Sequence, residues 1–216
     1  MIMNAPDDRP GVITRGAVLL AGYRAVPPPG VDAGSYGDAC LTDSYEVIAG
    51  LSEINAGLVG ESPLLEEIRW PQDFLITGDG RSVRSIAERL TADDHGLTEL
   101  IAVPGDVPDL PEMIIAKIAK ALHRADVALA PEIGGNGLAA AGVRLPWPGW
   151  LDLDLDLDQD SYQEISELAP RRNLVVHTPG WHRMRNPESV HRLDPLLEGW
   201  DNVRLLLSGH RVPGSR

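Results

Sequence analysis

The chain has 216 residues, of which 43% are hydrophobic, enough apolar material to bury a core and to exclude a mini-scaffold or a disordered chain. A net charge of −13 at pH 7 repels polyphosphate backbones and argues against a nucleic-acid polymer as partner. The longest apolar runs, such as residues 17–22 and 113–116, fall far short of the roughly 20 residues that cross a bilayer, so no membrane partner is expected.

Residues 1–11 are acidic, contain two prolines and lack the basic and apolar stretches of a secretory signal, which sets the expectation of a cytoplasmic protein. A flexible arm over 1–16 followed by one domain over 17–216 is the expected organisation. Cys40 is the only cysteine, which excludes an internal disulfide and a cysteine-built zinc site. Charge is unevenly placed. Residues 171–216 hold eight Arg against four Asp or Glu, leaving the first 170 residues at −17. Such a basic segment faces an anionic ligand or pairs with the acidic remainder.

In chain order, the apolar run 17–22 reads as a buried strand closed by glycine. A long loop follows, stiff at 25–30 and rich in small residues to 43. Thr42 or Asp43 then caps a helix through Val47, Leu51 and Ile54 to about Leu58, at a spacing of three to four. Residues 73–77 form a second strand ended by Gly78-Asp79-Gly80, and 82–90 a helix. A third strand spans 100–103. The helix over 112–123 carries Ile114, Ile115, Ile118 and Leu122 on one face behind Pro111. Strands at 126–130 and 138–143 flank a turn at 131–137.

The Leu-Asp alternation of 151–158 has strict period two and reads as a strand with a leucine face buried and an aspartate face in water. Successive same-face residues lie roughly 6.6–6.8 Å apart, too far for a calcium comb whose ligands sit about 2.3–2.6 Å from the ion. Ser161 and Glu164 offer a capping box for a helix to Leu168. Residues 174–177 form a strand, Asn186-Pro187-Glu188 starts a helix, and 203–207 is a last strand. Strands alternating with amphipathic helices give an α/β sandwich around a largely parallel sheet.

Ligands in such sheets sit beyond the carboxyl ends of the strands. The strongest candidate there is Gly105-Asp106-Val107-Pro108-Asp109, which sets a carboxylate past a buried strand beside a glycine that lets phosphate oxygens approach. One well-placed Asp suffices for magnesium when water and a diphosphate complete the octahedron. Asp106 is read as a metal ligand or as a turn Asp bonding its own loop. Asp109 is a second ligand or the N-cap of the following helix, the latter favoured by its position.

The run Ile101-Ala-Val-Pro-Gly-Asp-Val-Pro-Asp-Leu-Pro111, followed by a helix, Ala125-Asp-Val-Ala-Leu-Ala-Pro-Glu132 and a Gly-Gly pair, resembles small bacterial proteins of the nucleotide-diphospho-sugar transferase superfamily. Asn186-Pro-Glu-Ser-Val-His-Arg-Leu193 resembles the segment that begins that family's late helix. The resemblance implies a three-layer GT-A (Rossmann-like) sandwich and a glycosyl- or nucleotidyltransferase that uses a nucleoside phosphate or nucleotide-sugar and Mg2+ or Mn2+. It implies metal and nucleotide diphosphate at Asp106 and an acceptor-side turn at Glu132, Gly134 and Gly135; beside these, Gly22, Arg24, Gly105, Arg183 and Arg185 are candidate nucleotide or phosphate contacts and Asp109 a candidate second metal ligand.

Two departures stand beside these matches. The first loop lacks the family's basic Lys-Thr-Arg-like element and has only Arg24 nearby. Where the family has Asp-x-Asp before the Pro-Glu segment, this chain has Arg183-Met184-Arg185. These arginines grip phosphate in place of a metal contact, or catalysis has been lost and a binding or assembly role remains. A homo-oligomer is left open. Zinc at His177 and His182 lacks a third ligand, and neither a Gly-x-Ser-x-Gly elbow nor a Gly-x-Gly-x-x-Gly fingerprint is present.

Overall fold

The computed structural model describes residues 14–93 and 95–209, so most of the expected arm lies outside the described residues. At the centre runs β1 (Arg15–Leu20), paired in parallel with β2 (Ile54–Val59) on one side and β4 (Glu99–Pro104) on the other. Beyond β2 lies the short β3 (Phe74–Ile76), and beyond β4 come β6 (Leu138–Arg144), β5 (Val127–Pro131) and β7 (Val175–His177). The order is β3-β2-β1-β4-β6-β5-β7. Among the described strands only β6 runs antiparallel to its neighbours.

Both sheet faces are covered, and the strand residues divide accordingly. Ala17 and Leu19 of β1, Ile101 and Val103 of β4 and Ala128 and Ala130 of β5 pack with α1 (Ala33–Ala49) and α4 (Glu112–Leu122). Val18, Leu20, Leu100, Ala102, Val127 and Leu129 point to the other layer, with α3 (Val83–Ala92) and α5 (Tyr162–Leu168). Burial on both faces is why these strands read as continuous apolar runs rather than alternating ones. The short α2 (Leu64–Ile68) follows β2, and Ser161 and Glu164 close the expected capping box on α5. This is the expected three-layer α/β sandwich with a mostly parallel sheet. No helix among the described residues is long and apolar enough to cross a membrane.

Four expected elements differ. First, α1 begins at Ala33 inside the expected loop, capped by Asp32, whose carboxylate accepts from Ser35 N at 2.8 Å. It buries Tyr36, Cys40, Asp43, Ser44 and Tyr45 on several sides, so no polar face marks its period. Second, Ile54 and Leu58 belong to strand β2, reached through Glu53 at φ 63° rather than by continuing the helix. Gly57 in that strand is needed for packing, since a Cβ there would stand 2.2 Å from the Phe74 ring.

Third, residues 151–158 form no strand. Leu151, Leu155 and Leu157 still enter the core on the α3 side, so the burial pattern holds without a ladder. Fourth, residues 203–207 belong to α6 (Asp201–Leu207), which packs on α1. Its last turns carry Leu205, Leu206 and Leu207 in succession, a run that local reading takes for a strand. At Asn186 the chain forms a 3₁₀ turn over Pro187–Arg192.

Helix α6 has no cap of its own. Its free N-terminal amides are met by Asp43 of α1, which accepts from Asn202 N at 3.0 Å, Asn202 Nδ2 at 2.7 Å and Val203 N at 2.9 Å. Burial lifts the Asp43 carboxyl from 3.8 to about 7, against the lowering effect of these donors. A folded-state pKa above the unfolded one means that the folded protein holds the extra proton between those values, so stability falls as pH rises through this window. Asp43→Ala is expected to lose about 0.5–2 kcal/mol by analogy with cap removal, more at pH 5 than at pH 8, and to flatten the pH dependence of chemical denaturation midpoints.

Candidate functional site

The carboxyl ends of β1, β4 and β5 open onto four segments: the turn after β1, residues 105–111, residues 132–137 and residues 178–187. The last of these is pinned by the backbone. Met184 N donates to Asp106 O at 2.9 Å and Met184 O accepts from Val26 N at 2.7 Å, so Arg183 and Arg185 flank a residue held across the sheet edge.

Asp106 and Arg183 meet here, each only 1% exposed. Arg183 Nε donates to Asp106 Oδ1 and Nη2 to Oδ2, both at 2.9 Å, a bidentate pair. Nη2 also lies 2.9 Å from Asp158 Oδ1, while Nη1 donates to the carbonyls of Leu138 at 3.2 Å and Leu157 at 2.7 Å. A guanidinium has five N–H groups; four of them donate in these hydrogen bonds, and the Asp158 carboxylate stands beside Nη2 as an ion pair. At 1% exposure Arg183 faces the protein's own oxygens rather than an external phosphate.

Around this pair the network continues. Asp158 Oδ2 accepts from Arg81 Nη2 at 2.7 Å, and Arg81 lies 4.2 Å from the Tyr23 ring centre, in cation–π contact. The Tyr23 hydroxyl accepts from Leu157 N at 3.0 Å and contacts Asp156 Oδ1 at 3.3 Å. Arg185 Nη1 donates to Glu132 Oε2 at 2.8 Å. Burial pushes the Asp158 carboxyl up, but the Arg81 hydrogen bond and the charges of Arg183 and Arg185 outweigh it and leave the group below its usual range. Burial raises Asp106 as well, while Arg183 opposes it; with N–H donors at both oxygens, we treat the pair as ionic.

The other expected residues sit in closer packing than an open phosphate loop allows. Gly22 N donates to Gly80 O at 3.1 Å, and a Cβ on Gly22 would stand 2.4 Å from Asp79 O. A Cβ on Gly105 would lie 2.5 Å from the Leu41 side chain. Arg24 pairs with Asp38 at the surface, across Gly37. Gly134 takes φ 81° beside the Arg192 guanidinium, and Gly135 lies against the Glu132 carboxylate.

Asp109 is not the cap of α4, as its position suggested. Pro111 holds that place without a side-chain bond, and Asp109 instead accepts from Trp181 Nε1 at 3.1 Å and pairs with His182 Nε2 at 3.0 Å. Both oxygens of Asp109 are thus occupied, as are both of Asp106. Among the described residues no group of three or more His, Cys, Asp or Glu is placed to hold a metal. This donor set does not fit a divalent cation at Asp106: the charge that would neutralise the carboxylate is already supplied by Arg183.

Sequence reasoning placed Asp106, Arg183, Arg185 and Glu132 at this edge but missed Tyr23, Arg81, Asp156 and Asp158. The aspartate comb was visible; its fold across the carboxyl edge was not, because period two reads as a strand. Next to the network lies a cleft of about 540 Å³, lined among others by Asn136, Gln159, Tyr162, Glu164 and His177, with the Tyr162 and His177 rings edge to face at 5.0 Å. Arg185 adjoins it through Gly137, where a Cβ would stand 3.2 Å from Nη1.

The mostly parallel sheet with β6 reversed has the fold of solved nucleotide-diphospho-sugar transferase structures, as the resemblance implied. A structure from Desulfovibrio desulfuricans G20 named as a nucleotide-diphospho-sugar transferase superposes with a TM-score of 0.58 at 17% identity, over 92% of this chain and 99% of that one. A 4-diphosphocytidyl-2C-methyl-D-erythritol synthase from Anaerococcus prevotii gives 0.53 at 13% identity, over 78% and 89%. Another structure of that synthase gives 0.54 at 14% identity, over 90% and 99%. At these identities the likeness is one of fold. No protein-family model matches the chain, and no curated protein matches it.

Proposed function

We propose that this protein keeps a ligand cleft of the transferase fold without metal-dependent glycosyl or nucleotidyl transfer, and works by binding or assembly. The observation that carries this reading is the closed state of Asp106, 1% exposed with both oxygens accepting from an equally buried Arg183. Charge supports it. The edge network sets Arg81, Arg183 and Arg185 against Asp106, Glu132, Asp156 and Asp158, so a pyrophosphate meets no positive surplus there.

The neighbouring cleft offers amides, a hydroxyl-bearing ring and an imidazole, with Glu164 as an acid and Arg185, one third exposed, beside it. That lining favours a polar, largely uncharged moiety such as the sugar of a nucleotide-sugar, with Arg185 available to one phosphate. Calorimetric titration of a panel of nucleoside phosphates and nucleotide-sugars, with and without Mg2+, tests this. Binding that is indifferent to metal, with no turnover of any donor, is expected. Metal-dependent binding that disappears in Asp106→Asn would restore the transferase reading instead.

A further inference from the structure

We infer that Arg183 serves as a built-in substitute for a divalent cation, occupying a latent cation site formed by Asp106, Asp158 and the carbonyl oxygens of Leu138 and Leu157. The inference goes beyond the binding reading and does not depend on which ligand the cleft takes. Its basis is where the two terminal guanidinium nitrogens stand. Nη2 lies 2.9 Å from Asp106 Oδ2 and 2.9 Å from Asp158 Oδ1, and Nη1 lies 3.2 and 2.7 Å from the two carbonyls.

Two carboxylate oxygens therefore meet at Nη2 and two carbonyl oxygens at the adjacent Nη1, all of them hard donors. This is the ligand chemistry of Mg2+, Mn2+ or Ca2+, whose bonds to oxygen run about 2.0–2.6 Å, with water completing the shell. For the two carboxylate oxygens at Nη2, contraction to metal distances asks for movements of roughly 0.3–0.9 Å. Asp158, a quarter exposed, sits on an irregular segment that can supply much of this. A single guanidinium charge bridges both carboxylates here, as a dication would in its place. While Arg183 is present its guanidinium fills the place and the charge of such a cation, so binding at this edge is expected to be metal-independent.

The test uses Mn2+ alone, followed by electron paramagnetic resonance of the free ion and by thermal melting of the full chain. The wild-type protein is expected to leave the Mn2+ signal undiminished and its melting temperature unchanged. Arg183→Ala is expected to take up one Mn2+ and to melt roughly 5–10 °C higher when the metal is at about 100 times its dissociation constant. Adding Asp106→Asn to that variant should abolish both effects.

Uptake of one Mn2+ by the wild type that Asp106→Asn removes would overturn the inference, as would a folded Arg183→Ala variant that takes none. If Arg183→Ala folds only when Mn2+ is present, and the double variant is not rescued, the inference stands. If Mn2+ restores neither Arg183→Ala nor Arg183→Ser, it fails.

Discussion

Arg183→Met is expected to lower stability by about 3–5 kcal/mol, because it strands a buried carboxylate that has lost its cation. For a domain of this size that is a fall in melting temperature of roughly 6–20 °C. The magnitude comes from desolvation rather than from the attraction that is lost. Asp106 is 1% exposed, so its unpaired charge is costly and is relieved by taking up a proton. The double replacement Asp106→Leu with Arg183→Met removes both charges and is expected to cost clearly less than the single one. Urea denaturation of the wild type, both singles and the double completes the cycle. Equal losses in the single and the double would show that packing, not charge, holds this edge.

Tyr23→Ala is the second large effect, at about 3–5 kcal/mol, through loss of a fully buried ring that lies beneath Arg81 at 4.2 Å and Arg183 at 5.2 Å. Tyr23→Phe separates the ring from its hydroxyl. It keeps the packing but leaves the buried Leu157 N–H, 3.0 Å from the hydroxyl, without an acceptor, at a cost of about 1–3 kcal/mol. Guanidinium denaturation midpoints of the two variants measure the two parts. A loss in Tyr23→Phe as large as in Tyr23→Ala would assign the whole effect to the hydrogen bond.

The elements legible in the sequence are those whose own residues decide their environment. Residues 100–103 are buried on both faces and flanked by turn residues, so β4 was readable, and the face of Ile114, Ile115, Ile118 and Leu122 made α4 so. By contrast α1 has Gly34 and Gly37 in its first turns and buries Asp43 and Ser44, because neighbours arrive from several directions at once. Ile54 and Leu58 keep a helical spacing across a chain reversal at Glu53 that no local pattern announces.

The site shows the same division. The position of Asp106 at the end of a central strand followed from fold logic, whereas its partner did not. Arg183 lies 77 residues further on, and nothing around it in sequence distinguishes a buried guanidinium from a solvated one. Asp158 was harder still, since the leucines beside it indicate a face but not the path of the chain.

The separation of Asp106 from Arg183 along the chain also bears on how the molecule assembles. A contact spanning 77 residues and the strands between is expected to close late, so that its loss in Arg183→Met speeds unfolding more than it slows folding in stopped-flow measurements. Such late clasps slow the escape from the native basin more than they hasten arrival in it. The guanidinium thus lends the protein persistence in time, a property separate from anything it does for a ligand.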